Sequence, residues 1–335
     1  MRSRHLLVVG ALTSALALSA CTGGAPADDN DGDEDQLRVA VILPGETSDQ
    51  GFNTTGEQTV ELLTEEFGAD ATLTESVNPA QQLDVYRQYA QQGYDLVVGW
   101  GGQFSDGAVA AAEEFPDTKF LVVSSAVENG SNLASYDTAL EDWHFVAGYL
   151  MGRLSTTGVV GQVSGQCFAS TASGQNGTRD GAKYANPDIE WLATYTGDFE
   201  DPTKAQQAAQ AMIDQGADVL ATNLNQGVFG VVQAAEANDG VTVVTEWLDN
   251  SATSPDVIVS SVNKSYARFV GDKVQQIIDG TWKGDHERYT LPADWGPAVF
   301  QTDSLPDDIY QDALDVQAKV ASGEIDVIRD ETCPG

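Results

Sequence analysis

The sequence predicts an α/β protein of two lobes, each a parallel sheet flanked by helices, with a ligand cleft between the lobes. Three observations predict it. Short runs of apolar, β-branched residues alternate with helix-spaced segments through most of the chain, a βαβ rhythm that implies parallel sheets with right-handed crossovers. The rhythm stops and restarts once, giving two successive sets. Polar loops bearing a ring, an amide and an acid close strands of both sets, and open α/β sheets bind ligands at those carboxyl ends.

The first unit sets the pattern. Residues 37–43 (LRVAVIL) form a short apolar run closed by Pro44-Gly45, as a buried parallel strand requires. A polar loop over 46–53 follows, and then Val60, Leu62, Leu63 and Phe67 recur at helical spacing. Asp49, Phe52 and Asn53 thus lie between a strand end and a helix start, where they suit a polar molecule with a flat face. The structural alternative is that Asp49 caps the helix, Gly51 turns the chain and Phe52 joins the core.

Further strands are expected over 71–77, 96–99 and 120–123, with helices over 80–92 and 107–115. After a helix over 143–154 the rhythm resumes with strands over 159–163, 189–195, 218–221, 241–244 and 257–259. Helices are expected over 174–184, from Pro202 after an Asp201 cap, and over 266–278. The lobes are expected to span 37–135 plus 262–290 and 136–261 plus 291–333, with short crossing strands near Ser135, Ser261 and Leu291.

The amino terminus has a different character. Arg2 and Arg4 precede an apolar run over 6–18 that is too short to span a bilayer, so residues 1–20 are expected to be a signal peptide. Leu18-Ser19-Ala20-Cys21 resembles a lipobox, which implies cleavage before a lipidated Cys21 and anchoring on the extracytoplasmic face of the cell membrane. Residues 21–36 are rich in Gly, Asp and Asn and are expected to be an acidic, flexible tether.

Charge and cysteine content narrow the function. Asp and Glu outnumber Lys and Arg by 51 to 16, and loss of the signal takes the formal charge from −35 to −37. Phosphate binding needs a basic surface, so nucleic acid is excluded as a partner. Cys167 and Cys333 remain as an even pair in an oxidising compartment, which suggests one disulfide; two free thiols are the alternative. His144 and His286, the histidines left after signal removal, have no metal-ligand spacing, and no nucleophile elbow or phosphate loop is present. No catalytic residue, metal or cofactor is expected, and the chain reads as a non-enzyme.

Six landmarks then carry a resemblance: Ser48-Asp49-Gln50-Gly51-Phe52-Asn53, Gly102-Gln103-Phe104-Ser105-Asp106, Phe115-Pro116-Asp117-Thr118-Lys119-Phe120, Gly197-Asp198-Phe199-Glu200-Asp201-Pro202, Gly216-Ala217-Asp218 and Ser260-Ser261-Val262-Asn263-Lys264. In this order they resemble the basic membrane protein, or PnrA-like, family of lipid-anchored substrate-binding proteins of ABC importers. The resemblance implies a type I periplasmic-binding-protein fold, a purine nucleoside or nucleobase as ligand and an ABC permease as partner; a monomer is expected. It implies that Phe52 and Phe199 sandwich the base, that Asp49 and Asn53 contact its edges, and that Phe104 and Asp106 line the first-lobe wall. Asn225 and Gly227 would approach the ligand, with Asp249 and Lys264 near the sugar. The family often has two acids one residue apart where this chain has Trp247 and Asp249, which makes a free purine base or another flat heterocycle a competitor to the nucleoside, with Trp247 as an additional stacking surface or, alternatively, a wall residue that touches no ligand. The alternatives are a sugar-binding receptor of the same fold and a ligand-sensing surface lipoprotein not linked to transport.

Overall fold

The computed structural model describes residues 36–264, 266–291 and 296–333; the expected signal segment, Cys21 and the tether except Gln36 lie outside them. In chain order the strands are β1 (Arg38–Ile42), β2 (Asp70–Thr74), β3 (Leu96–Gly99), β4 (Lys119–Val123), β5 (Leu133–Thr138), β6 (Val159–Ser164), β7 (Glu190–Tyr195), β8 (Val219–Asn223), β9 (Thr242–Trp247), β10 (Ile258–Asn263) and β11 (His286–Tyr289). The helices are α1 (Phe52–Phe67), α2 (Gln82–Gln91), α3 (Ser105–Glu114), α4 (Leu140–Leu154), α5 (Ala169–Ala185), α6 (Pro202–Ile213), α7 (Val228–Glu236), α8 (Tyr266–Ile278) and α9 (Asp307–Ala321). They make two parallel sheets, ordered β11-β5-β4-β3-β1-β2 and β10-β9-β8-β6-β7.

Strand alternation divides the first core. Val39, Val41 and Leu43 point to one face of the sheet, with Leu63 of α1 and Phe269 of α8. Ala40, Ile42, Val97 and Val122 point to the other, with Tyr86 of α2 and Ala108 of α3. All are almost wholly buried, and each large side chain removed from water contributes about 1.5–3 kcal/mol. In the second lobe α4 and α5 approach so closely that a Cβ on Gly148 would lie 1.9 Å from the Thr178 carbonyl oxygen.

Several elements differ from expectation. Leu133–Thr138 is a full strand of the first sheet, paired in parallel with β4 from Phe120↔Leu133 to Val123↔Tyr136, and β11 pairs with it in turn. The short crossing strand expected near Ser135 is thus a six-residue member of the sheet, with five of its six positions buried. The first sheet therefore runs to Thr138 and the second to Asn263. A bridge between Val262 and Val299 runs antiparallel where the chain returns to the second lobe. Because the strands of each sheet are parallel, with one register shift between Ile258 and Ser260 in β10, their carboxyl ends gather at one edge. The loops at that edge carry the candidate site.

Candidate functional site

The loop after β1 is organised by Asp49, which is 2% exposed. Its carboxylate accepts the backbone N–H groups of Gly51 (2.9 Å), Asn53 (2.9 Å) and Thr54 (3.1 Å), the Asn53 side-chain amide (2.7 Å) and the Thr54 hydroxyl (2.9 Å). Asn53 accepts Gly45 N–H on Oδ1 at 3.1 Å. These bonds satisfy donors at the helix start that would otherwise be orphaned. Asp49 and Asn53 are thus spent inside the loop, and their effect is to fix Phe52 at the cleft.

Phe52 meets rings from both lobes. Its centroid is 6.0 Å from Trp100 and 5.9 Å from Tyr266 in the first lobe, and 5.3 Å from Trp247 at the end of β9 in the second. The fully buried Trp100 donates its indole N–H to the Phe52 carbonyl at 2.9 Å, anchoring the ring from behind. Trp247 has φ 75°, a region costly for a bulky side chain and one found at functional sites. Its indole N–H is buried and has no hydrogen-bond partner among the described residues.

Beneath Trp247 lies a buried charge network. The Lys264 ammonium sits 4.0 Å from the indole centroid and 3.2 Å from Glu246 Oε2, while Glu246 Oε1 is 2.6 Å from His144 Nε2. His144 Nδ1 lies 3.1 Å from the Thr178 hydroxyl. All three ionisable groups are 2–3% exposed. Burial pushes the Glu246 carboxyl up, but Lys264 and His144 outweigh it and hold the group below its usual range. Burial lowers Lys264 and His144, and Glu246 only partly offsets this for each. The Thr178 hydroxyl donates to the Gly174 carbonyl at 3.1 Å as well as meeting His144 Nδ1.

A cavity of about 410 Å³ opens beside this group, lined by Thr55, Gln58, Trp247, Asp249, Asn250, Asn263, Lys264 and Tyr266 among others. Both lobes contribute, and its volume falls within the range of small-molecule sites. Asp249 is exposed and accepts Ser251 N–H at 3.0 Å. Burial pushes the Tyr266 phenol up to about 12, although Thr138 and Ser124 hydrogen-bond to it.

Phe199, Asn225 and Gly227 form a second group in the second lobe. The Phe199 carbonyl accepts both Asn225 N–H (3.1 Å) and Gly227 N–H (3.0 Å), and Asn225 donates its side-chain amide to Glu200 at 2.6 Å. The Phe199 ring lies on Gly165, where a Cβ would fall 2.2 Å from a ring carbon. This group borders the first lobe, because a Cβ on Gly51 would stand 3.5 Å from Asn225 Cα.

Two expected site residues lie elsewhere. Phe104 is fully buried on the α2–α3 side of the first sheet, edge-on to Tyr86 at 6.3 Å, so it has no surface to line the cleft wall. Asp106 is exposed in the first turn of α3 and does not line the cavity. Sequence reasoning missed Trp100, Tyr266, Glu246 and His144. The available signal was a carboxylate directly after Val243-Val244-Thr245, since an acid in a buried strand demands a partner. Cys167 and Cys333 form a disulfide with Cα atoms 6.1 Å apart.

Fold and site together define a two-lobed α/β binding protein with an aromatic, polar cleft. The family of PnrA-like ABC transporter substrate-binding proteins matches residues 36–331, and the chain belongs to it. It is therefore a substrate-binding protein of ABC transporters, not an enzyme, and the assignment implies a small-molecule ligand and a permease. A purine-binding protein of Brucella abortus is 25% identical over 295 residues, covering 87% of this chain and 83% of its own length. A Haloferax volcanii protein named for glucose binding by an ABC transporter is 25% identical over 317 residues, covering 91% and 79%. Among solved structures, a solute-binding protein of an ABC transporter system from Conexibacter woesei superposes with a TM-score of 0.73 at 28% identity, covering 88% of this chain and 99% of that one. No helix among the described residues is long and apolar enough to cross a membrane.

Proposed function

We propose that this chain is a monomeric, lipid-anchored receptor on the extracytoplasmic face of the membrane that binds a purine base or nucleoside and delivers it to an ABC permease. The observation that carries the ligand class is the ring pair Phe52–Trp247, contributed by opposite lobes, with Trp247 lining a cavity that also presents Asp249 and Asn250. A flat heterocycle between two rings needs about 3.5 Å on each face, or about 7 Å in all. The two centroids are 5.3 Å apart with the rings tilted by 57°, so on this reading the rings both part and turn toward parallel as the ligand enters. The name of the Brucella abortus relative supports the same class. Lipid attachment rests on Leu18-Ser19-Ala20-Cys21.

A second reading has its own support. The Haloferax volcanii relative is named for glucose, and sugars also stack on aromatic rings beside carboxylates and amides. Calorimetric titration with adenosine, guanosine, inosine, adenine, guanine, hypoxanthine and glucose separates the two. The purine reading expects micromolar or tighter binding of a purine and loss of at least tenfold in Trp247→Ala, about 1.4 kcal/mol. Binding of glucose alone refutes it.

A further inference from the structure

The Cys167–Cys333 disulfide raises a question that stability alone does not answer. It joins residues 166 apart, and the segment it captures is the mostly exposed tail after α9, whose Ile325 and Val327 pack on the core while residues 328–333 lie at the surface. The same tail is held on α5 by the Asn176 amide, which donates to the carbonyls of Asp330 (2.8 Å) and Thr332 (3.2 Å), and by Arg179, 3.7 Å from Asp330. What this clamp fixes on its inner side is the loop between β6 and α5, and the residue directly after Cys167 is Phe168.

Phe168 is 52% exposed, yet its setting is built. Its backbone N–H donates to the Thr171 hydroxyl at 2.8 Å, the Thr171 hydroxyl reaches the Gln166 carbonyl at 2.7 Å, and the disulfide holds the preceding residue. Its ring lies nearly parallel to Phe199, at 23° with centroids 6.3 Å apart. Phe199 is the second-lobe ring whose backbone organises Asn225 and Gly227 beside the first lobe. A half-exposed ring, covalently steadied and stacked on a site residue at the ligand-binding edge of the sheet, has the setting of a contact surface.

We infer that Phe168 is a further ligand-contacting ring, extending the Phe199 platform at the cleft mouth, and that the Cys167–Cys333 disulfide is its positioning device. Phe168 determines affinity for ligands with a large flat face, and Cys333 acts only through it. The inference deepens the proposed function and rests on it for the purine class, although the role of the ring does not depend on which flat ligand binds.

The test is calorimetry on the purified full chain with adenosine, adenine, guanosine, guanine and glucose as probes. Phe168→Ala is expected to weaken the best probe at least tenfold at unchanged melting temperature, and Phe168→Trp to restore it. Tyr184→Ala, which removes a ring of similar exposure (51%) elsewhere on α5, is expected to leave affinity within twofold. Cys333→Ser is expected to weaken binding several-fold in the wild-type background and to add nothing in Phe168→Ala, a non-additivity that a purely structural disulfide does not produce. Purine affinity within twofold of wild type in Phe168→Ala overturns the inference and leaves the purine reading standing. Glucose binding that depends on Phe168, without purine binding, supports the ring's role and overturns the purine reading. If the wild type binds no probe, both fall.

Discussion

Replacing Lys264 with Met tests the buried charge network most sharply. The ammonium lies 3.2 Å from Glu246, and at an effective dielectric of about 20 that pair is worth about 5 kcal/mol of attraction. Removing one partner of a buried pair typically costs about 3–5 kcal/mol, because the other charge is left without compensation. The pH dependence follows from His144. In the wild type its pKa lies below the unfolded value, so its contribution is complete above about 6.5 and is lost as the pH falls. In Lys264→Met, Glu246 has lost its ammonium, and His144 faces a carboxylate with no neighbouring cation to oppose its own protonation. Its pKa then moves up from its wild-type position, although burial still lowers it, so the variant loses less stability than the wild type as the pH falls. Glu141, one turn earlier on α4 and paired with Arg288 at 2.5 Å, is a further carboxylate that favours protonation of His144. Urea unfolding at pH 6, 7 and 8 is expected to show a deficit of about 3 kcal/mol or more at pH 8 that narrows as the pH falls to 6. Unfolding curves that stay a constant distance apart across this range would refute the reasoning, as would a variant as stable as the wild type at pH 8.

Three further predictions concern the frame around the site. Burial pushes the Asp142 carboxyl up to about 6, so its ionisation opposes folding above that pH. Asp142→Asn keeps an acceptor for Leu291 N–H, 3.2 Å away, and is expected to stabilise by about 1–2 kcal/mol at pH 8 and not at all near pH 4, measured by thermal unfolding at both. Asp49→Asn halves the acceptor capacity that five donors now use and is expected to cost about 2–3 kcal/mol in chemical denaturation, weakening ligand binding through Phe52. Gly148→Ala forces α4 away from the Thr178 carbonyl on α5, and calorimetric scanning is expected to show a loss of about 1–3 kcal/mol with ligand affinity retained in the folded fraction.

Legibility in the sequence followed the physics of each element. Strands buried on both faces, such as β1 and β3, are continuous apolar runs and were readable to within a residue or two. β5 was legible only as a short crossing strand near Ser135 and not as a sheet member, because Ser135, Tyr136 and Asp137 find partners through contacts distant in sequence: Ser135 with His286, Tyr136 with Tyr266, and Asp137 with Arg288. Phe104 was assigned to the cleft because a ring beside a glycine-bearing loop looks the same whether it faces solvent or the α2–α3 core. The decision lies in Gly99, whose missing side chain leaves room for both Phe104 and the Tyr86 hydroxyl. The Glu246–His144 contact joins residues far apart in sequence, and no local pattern announces it.

The departure at Trp247 and the burial of Glu246 are two sides of one arrangement. Successive strand residues point to opposite faces, so a carboxylate one position before the cleft residue turns away from the ligand and into the second-lobe core. There it neutralises Lys264 from below, at 3.2 Å, while the indole covers the ammonium from above at 4.0 Å. The resemblance places Lys264 near the sugar, but an ammonium 3% exposed and already paired has little to offer a ribose. Asp249 is the acid of this segment that remains open to the cavity. A ligand that relies on stacking gains from this exchange, whereas one that relies on charged contacts to a sugar loses by it. The expected outcome of the calorimetric titration is therefore a free base bound at least as tightly as its nucleoside. A nucleoside bound tenfold more tightly than its base, with the preference abolished in Asp249→Asn, would show that Asp249 alone holds the ribose.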